Sequence, residues 1–142
     1  MKVRPISGDD IGAATMLLGQ LGYEMPPAEA ARRLEIVLRD GCHRVWVCEQ
    51  DGRVVGLLHA FFRPALEKPP EVIVEALVVE ASQRSKGIGE RLMAEAESWA
   101  RSYGSKSVSL YSGSARKDAH RFYARIGYAR AATSELMRKQ LV

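Results

Sequence analysis

The chain is short of several things, and each shortage narrows what it can be. Its 142 residues include two cysteines, too few for a disulfide-built scaffold. Cys42 and Cys48 flank one short strand-like run and stand too far apart along it to bond each other, so both read as free, buried or half-buried thiols. There are three histidines, His43, His59 and His120, with no partners at metal-ligand spacing. No metal is expected, and the histidines read as structural or surface residues. No apolar run approaches the ~20 residues of a membrane span, and Met1-Lys2-Val3-Arg4-Pro5-Ile6 has no apolar signal core. A cytoplasmic protein without membrane partners is the expectation. The net charge of +4 comes from scattered cations rather than a dense basic tract, and no exposed aromatics accompany them. Nucleic-acid binding is therefore not expected. No serine or cysteine nucleophile with a base partner is evident, which argues against a covalent acyl-enzyme.

Two familiar phosphate motifs are also missing. A dinucleotide fingerprint needs three spaced glycines, but the position three beyond Gly89 is Leu92. A Walker loop ends in Gly-Lys-Ser/Thr, but Gly89 is followed by Glu90-Arg91. What stands there instead is Arg84-Ser85-Lys86-Gly87-Ile88-Gly89. An apolar strand-like run, Val72 to Val79, precedes it, and a helical pattern from Glu90 to Tyr103 follows. A helix N-terminus offers unpaired N–H groups and partial positive charge to an anion. Gly87 and Gly89 let a bulky anion approach the backbone, and Arg84 and Lys86 add cations beside it.

The content of 46% hydrophobic and 27% charged residues is that of an ordinary globular protein, and the length suits one domain spanning 1–142. Lys2 to Ile6 reads as a strand. Ser7 with Asp10 forms a partial capping box for a helix carrying Ile11, Ala14, Leu17, Leu18 and Leu21. Pro27 opens a second helix with Ala30, Leu34 and Val37 on one face. The strands Arg44–Glu49 and Val54–Phe62 are joined by the two-residue turn Asp51-Gly52. The strand Glu71–Glu80 leads into the loop and a helix with Ile88, Leu92, Ala96, Trp99 and Tyr103 on one face. A strand at Ser107–Tyr111 and a helix at Ala115–Ile126 follow, and Tyr128–Val142 reads as one or two final strands. Trp46 and Trp99 suit core positions. The order gives a mixed α/β domain with helices on both faces of a mostly antiparallel twisted sheet. The helix after Gly89 must cross over to a strand parallel to its predecessor. The sheet is expected to splay at those two parallel strands and open a cleft beside the loop.

These residues resemble the GNAT superfamily of acyl-CoA-dependent N-acyltransferases over essentially the whole chain. Leu77-Val78-Val79 followed by Arg84 to Gly89 is similar to that family's acetyl-CoA motif. Ala119-His120-Arg121-Phe122-Tyr123-Ala124-Arg125-Ile126-Gly127-Tyr128 is similar to its Phe-Tyr-x-x-x-Gly-Phe/Tyr segment. The resemblance implies a GNAT-like fold and acetyl transfer from acetyl-CoA to a primary amine, directly within a ternary complex. It implies that N–H groups from Ser85 through Lys86, Gly87 and Ile88 to Gly89 hold the CoA pyrophosphate. Leu77, Val78 and Val79 are then expected to pair with the pantetheine arm, and one of their N–H groups to polarise the thioester.

Tyr123 matches the family tyrosine that faces the CoA sulfur, and a phenol there can protonate the leaving thiolate. Glu75 is the candidate base, nine residues before Arg84, and shares strand parity with Leu77 and Val79 unless a bulge shifts it. Glu71 and Glu80 lie nearer the strand ends. Two positions depart from the pattern. Ser85 stands where glycine is frequent, and Arg116 stands where many members have asparagine, open to a phosphate or an acidic acceptor group. His120 reads as a surface residue of its helix. A homodimer is plausible on resemblance. The acceptor, small molecule or protein, is open, with Tyr23 to Pro27 and Phe61-Phe62-Arg63 expected around it. The competing reading is a silent acyl-CoA-binding or regulatory module.

Overall fold

A computed structural model describes residues 1–113 and 116–142. Met1–Tyr111 and Ser112–Val142 form two compact units. The first holds β1 (Lys2–Pro5), α1 (Ile11–Leu21), α2 (Pro27–Arg39), β2 (His43–Gln50), β3 (Arg53–Arg63), β4 (Glu71–Val79), α3 (Ile88–Ser102) and β5 (Val108–Leu110). The five strands lie side by side in chain order. Every neighbouring pair is antiparallel except β4 and β5. The mixed α/β architecture expected from the element order is the one present.

Turn chemistry fixes the central hairpin. Asp51 and Gly52 both take positive φ, 52° and 75°, as a two-residue turn matched to strand twist requires. Burial sorts the helices. Ile6, Ala14, Leu17, Val45, Val47, Leu57 and Val78 form one cluster, with Leu21, Leu34 and Val37 packed against it, so α1 and α2 cover one face. On the other face α3 lays Ile88, Leu92, Met93 and Ala96 against β3 and β4, all fully or nearly fully buried. Trp46 meets Trp99 of α3 edge to face there, with ring centroids 5.7 Å apart.

The entry to α1 is held by charge. Arg4 of β1 donates two hydrogen bonds to Asp10, at 2.8 and 3.0 Å, and the Ser7 N–H donates to the same carboxylate at 2.8 Å. Asp10 is the one charged side chain buried among the described residues. Its Arg4 partner holds its carboxyl below the usual range.

The second unit contains α4 (Lys117–Arg125), which ends at Gly127. Ala115, where the sequence begins this helix, lies outside the described residues together with Ser114. The final strands expected over Tyr128–Val142 are absent: no strand is present there. Composition supplies the reason. Thr133 and Val142 are the only β-branched residues of the segment, which is otherwise rich in alanine and charge. Among the described residues no helix is long and apolar enough to cross a membrane.

Candidate active site

β4 is the spine of the site, and one extra residue in it decides which side chains face where. Ala60 of β3 pairs with Val74, but His59 pairs with Ala76, so Glu75 is inserted as a bulge. Counting from Val78, which belongs to the α1/α2 core, Ala76 lies on that same face. Alternation from Val74 puts Glu75 there too. Leu77 and Val79 face α3 instead. The parity that groups Glu75 with Leu77 and Val79 is therefore corrected: the bulge turns Glu75 to the opposite face, where it stands exposed.

The same bulge marks where the sheet opens. The parallel ladder with β5 runs only from Val72↔Val108 to Val74↔Leu110. Among the described residues no strand of this unit pairs with residues 75–79 on that side, so apart from the Val79 carbonyl, which accepts from Arg84, their outward main-chain groups form an open edge. An extended chain with amide groups can pair with such an edge.

At the end of β4 the chain makes one 3-10 turn, Ala81–Gln83, and reaches the glycine loop. Ser85 and Gly87 both take left-handed backbone, with φ of 64° and 84°, on either side of Lys86. This alternation turns successive N–H groups into one concavity, an anion nest. Gly87 is also the N-cap of α3, and the first helical bond runs from the Arg91 N–H to the Gly87 carbonyl at 3.0 Å. The N–H groups of Ile88, Gly89 and Glu90 precede that bond and carry the partial positive end of a 15-residue helix.

Ile88 and Gly89 are buried while residues 84–87 are exposed, so the loop is anchored from behind and open in front. The Arg84 Nε donates to the Val79 carbonyl at 3.1 Å, tying loop to strand. Lys86 reaches Gln83 at 3.4 Å, and Gln20 of α1 accepts from the Ala81 N–H at 3.0 Å.

The neighbouring carboxylates are occupied. Glu71 accepts from Ser107 at 2.6 Å and from Ser109, and pairs with Arg63 at 3.7 Å. Burial pushes its carboxyl up, but the two serines, Arg63 and Lys68 outweigh this and lower it. Glu80 accepts from Ser82, through both N–H and hydroxyl. Glu75 has neither kind of partner among the described residues.

Tyr123 and Arg116 belong to the second unit. Tyr123 is half-buried on α4, with ring centroids 5.1 Å from Phe122 and 5.9 Å from Tyr128. Burial raises its phenol above the ordinary value, with Arg116 pulling the other way. It therefore stays protonated at neutral pH, as a proton donor must. Arg116 is exposed at the start of α4.

One group escaped the reading of the sequence. His43 Nδ1 and His59 Nε2 share a hydrogen bond of 2.8 Å. The signal was indirect: the two-residue turn fixes the β2/β3 register, but a second bulge between Cys48 and Glu49 moves it by one position. Without that shift Arg44 would stand opposite His59, and His43 would lie on the other face.

A family model described as the acetyltransferase (GNAT) family matches residues 14–128. The chain is 34% identical over 107 residues to the uncharacterized N-acetyltransferase YhdJ of Bacillus subtilis (strain 168), covering 75% of each. It is 36% identical over 80 residues to the aminoalkylphosphonate N-acetyltransferase of Salmonella typhimurium (strain LT2), covering 56% of this chain and 52% of that one. Among solved structures, the aminoglycoside 6'-N-acetyltransferase AAC(6')-IG of Acinetobacter haemolyticus matches with a TM-score of 0.88 at 17% identity, over 100% of both chains. AAC(6')-Iy in complex with CoA matches with a TM-score of 0.88 at 18% identity, over 98% of this chain and 94% of that one. The two structures speak for the fold. The family model spans most of the sequence, glycine loop and tyrosine segment included, and on that match the chain belongs to the acetyltransferase (GNAT) family.

Proposed function

We propose that the chain is one domain over 1–142 that transfers an acetyl group from acetyl-CoA to a primary amine directly, in a ternary complex. The observation that carries this reading is the left-handed pair Ser85 and Gly87 at the N-terminus of α3, beside the open edge of β4. A pyrophosphate suits the N–H groups of Ser85 to Gly89, with Arg84 and Lys86 as cations of the same loop and Arg116 as a further cation that the family resemblance offers. The amides of a pantetheine arm suit the edge at Leu77, Val78 and Val79. When bound, acetyl-CoA supplies an activated acyl group with a good leaving thiolate.

The chain's own part is to orient, polarise and move protons. Tyr123 donates a proton to the departing thiolate, which its raised phenol supports. Glu75, exposed at the bulge and free of the partners that occupy Glu71 and Glu80, receives the ammonium and its proton. The acceptor class is a primary amine, in line with the aminoalkylphosphonate enzyme among the relatives. The two free cysteines suit a reducing compartment, on which a cytoplasmic setting is proposed. Pairing into a homodimer rests on family resemblance and is read by sedimentation.

Calorimetry with CoA and thiol release from acetyl-CoA against an amine panel test the reading. The panel holds an aminoalkylphosphonate, an aminoglycoside and a lysine peptide. Saturable CoA binding with amine-dependent thiol release is the expected result. Binding without turnover against any amine identifies a silent CoA-binding module, and no binding overturns both.

A further inference from the structure

The β4 bulge faces more than solvent. Glu75 and Ala76 together stand opposite one residue of β3, His59, and share its face of the sheet. Residues directly opposite in an antiparallel pair have Cα atoms ~4.5–5.5 Å apart, so the His59 imidazole rises beside the bulge. Its Nε2 is engaged with His43 Nδ1 at 2.8 Å. Its Nδ1 has no protein partner among the described residues. His43 is itself held: its ring stacks on Phe61 with centroids 5.1 Å apart and planes 18° apart. The other nitrogen of His43, Nε2, lies 3.8 Å from Asp40 Oδ2, just past the end of α2. His59, His43 and Asp40 thus run in line from the bulge to an exposed carboxylate.

We propose that the His43–His59 pair is a proton relay serving the acceptor amine at the β4 bulge, with His59 as a base beside Glu75. This rests on the acetyl-transfer reading above. Glu75 takes the proton from the ammonium and hands it to His59 Nδ1, and the electron pair of the broken N–H bond stays on the amine nitrogen for attack. The Nε2–H bond of His59 breaks as its proton passes to His43 Nδ1. The proton on His43 Nε2 leaves to Asp40 or to water beside it. Each ring gains one proton and loses one, and no electron changes hands. His43 is a positioning and relay residue, since it acts through His59.

The surroundings suit the task. α1 carries no charged side chain, and α2 turns Ala30, Leu34 and Val37 toward the sheet. Arg44 of β2 points to the other face, over Trp99. Among the described residues, the charged groups on the relay's own face include Glu75, Asp40, the Arg63–Glu71 pair further along and, at the far end, Arg4 with Asp10 and Glu49. Burial first, and His43 second, push the His59 ring down to about 4. The His59 ring is then neutral at pH 7 and does not repel an incoming ammonium.

The test uses the full chain, acetyl-CoA and the panel amine that turns over fastest. His59→Gln is expected to lower kcat/KM about 100-fold at pH 7, with the loss shrinking as rising pH supplies free amine. CoA affinity stays within about twofold of wild type, and the rate with methoxyamine, which is neutral at pH 7, falls far less. His43→Gln shows the same pH signature with a smaller loss, and guards against a folding defect in the first variant. A wild-type pH profile in both variants overturns the relay, as does an equal loss with methoxyamine. Absence of thiol release from wild type with every amine is the separate failure of the acetyl-transfer reading.

Discussion

Gly56 offers the sharpest test of how the sheet and α3 fit together. It sits mid-strand in β3, and a methyl group added there stands 2.9 Å from Ile88 Cγ2, 3.0 Å from Leu92 Cδ1 and 3.5 Å from Cys48 Cβ. Carbon atoms pack best at ~3.5–4.0 Å, so the first two contacts are repulsive. Neither neighbour can swing away, because Ile88 is 1% and Leu92 0% exposed, and the Ile88 atom is a branch methyl close to the backbone. Overpacking of this kind costs about 1–3 kcal/mol. Replacing a strand glycine by alanine returns about 0.5–1 kcal/mol of backbone entropy. Gly56→Ala should therefore destabilise by about 1–2 kcal/mol, read as a lower urea midpoint at constant m-value. Ile88 is the first residue of α3, so the same substitution should displace the anion nest and weaken CoA binding. The decisive measurement is a double-mutant cycle. Ile88→Ala alone costs about 2–5 kcal/mol but removes Cγ2, and in that background Gly56→Ala should cost clearly less, with only the Leu92 contact remaining. An equal cost in both backgrounds refutes the contact as the cause.

Other outcomes follow from single groups. Ser85→Gly should stabilise by about 0.5–1 kcal/mol in urea unfolding and leave CoA affinity intact, because a left-handed serine is strained and the nest is built from main chain. Asp10 has a native pKa below its unfolded one, so its contribution is present above about pH 4 and is lost as pH falls through the depressed native value. Asp10→Asn should cost about 1.5–3 kcal/mol at pH 7 and remove that acid dependence. His59 acts in a separate window: the unfolded ring binds its proton near 6.5 and the native one only near 4, so stability falls by about 3 kcal/mol as pH drops between them. His59→Gln should flatten that stretch of the stability curve. Tyr123→Phe should lower kcat by up to about 100-fold with CoA affinity unchanged, and an unaltered kcat removes its assigned role.

Most of the element order was legible because its signals are local. Asp51-Gly52 dictates a hairpin by its own backbone preference, Pro27 opens α2, and Ile88, Leu92 and Ala96 mark a buried helical face by spacing alone. The glycine loop was legible for the same reason, since a strand end, two glycines and a helix start are all contiguous. Ser85 shows the limit: its identity says nothing of a φ of 64°, which is imposed by the turn it completes. The strand reading of Tyr128–Val142 failed because its apolar residues fall in adjacent pairs rather than in alternation, and its low β-propensity decides against a strand.

By itself, then, the sequence determined most of the order of strands and helices, the glycine turn that opens α3 and the family's two motifs, all of which depend on neighbours within a few residues. The tertiary structure alone decided what faces what. A strand assigns side chains to faces by counting, and one extra residue reverses every assignment beyond it. Two such insertions, at the Cys48/Glu49 shift and at Glu75, are set by how strands distant in sequence fit together. They turn Glu75 away from Leu77 and Val79, and they bring His43 and His59 within a hydrogen bond of each other.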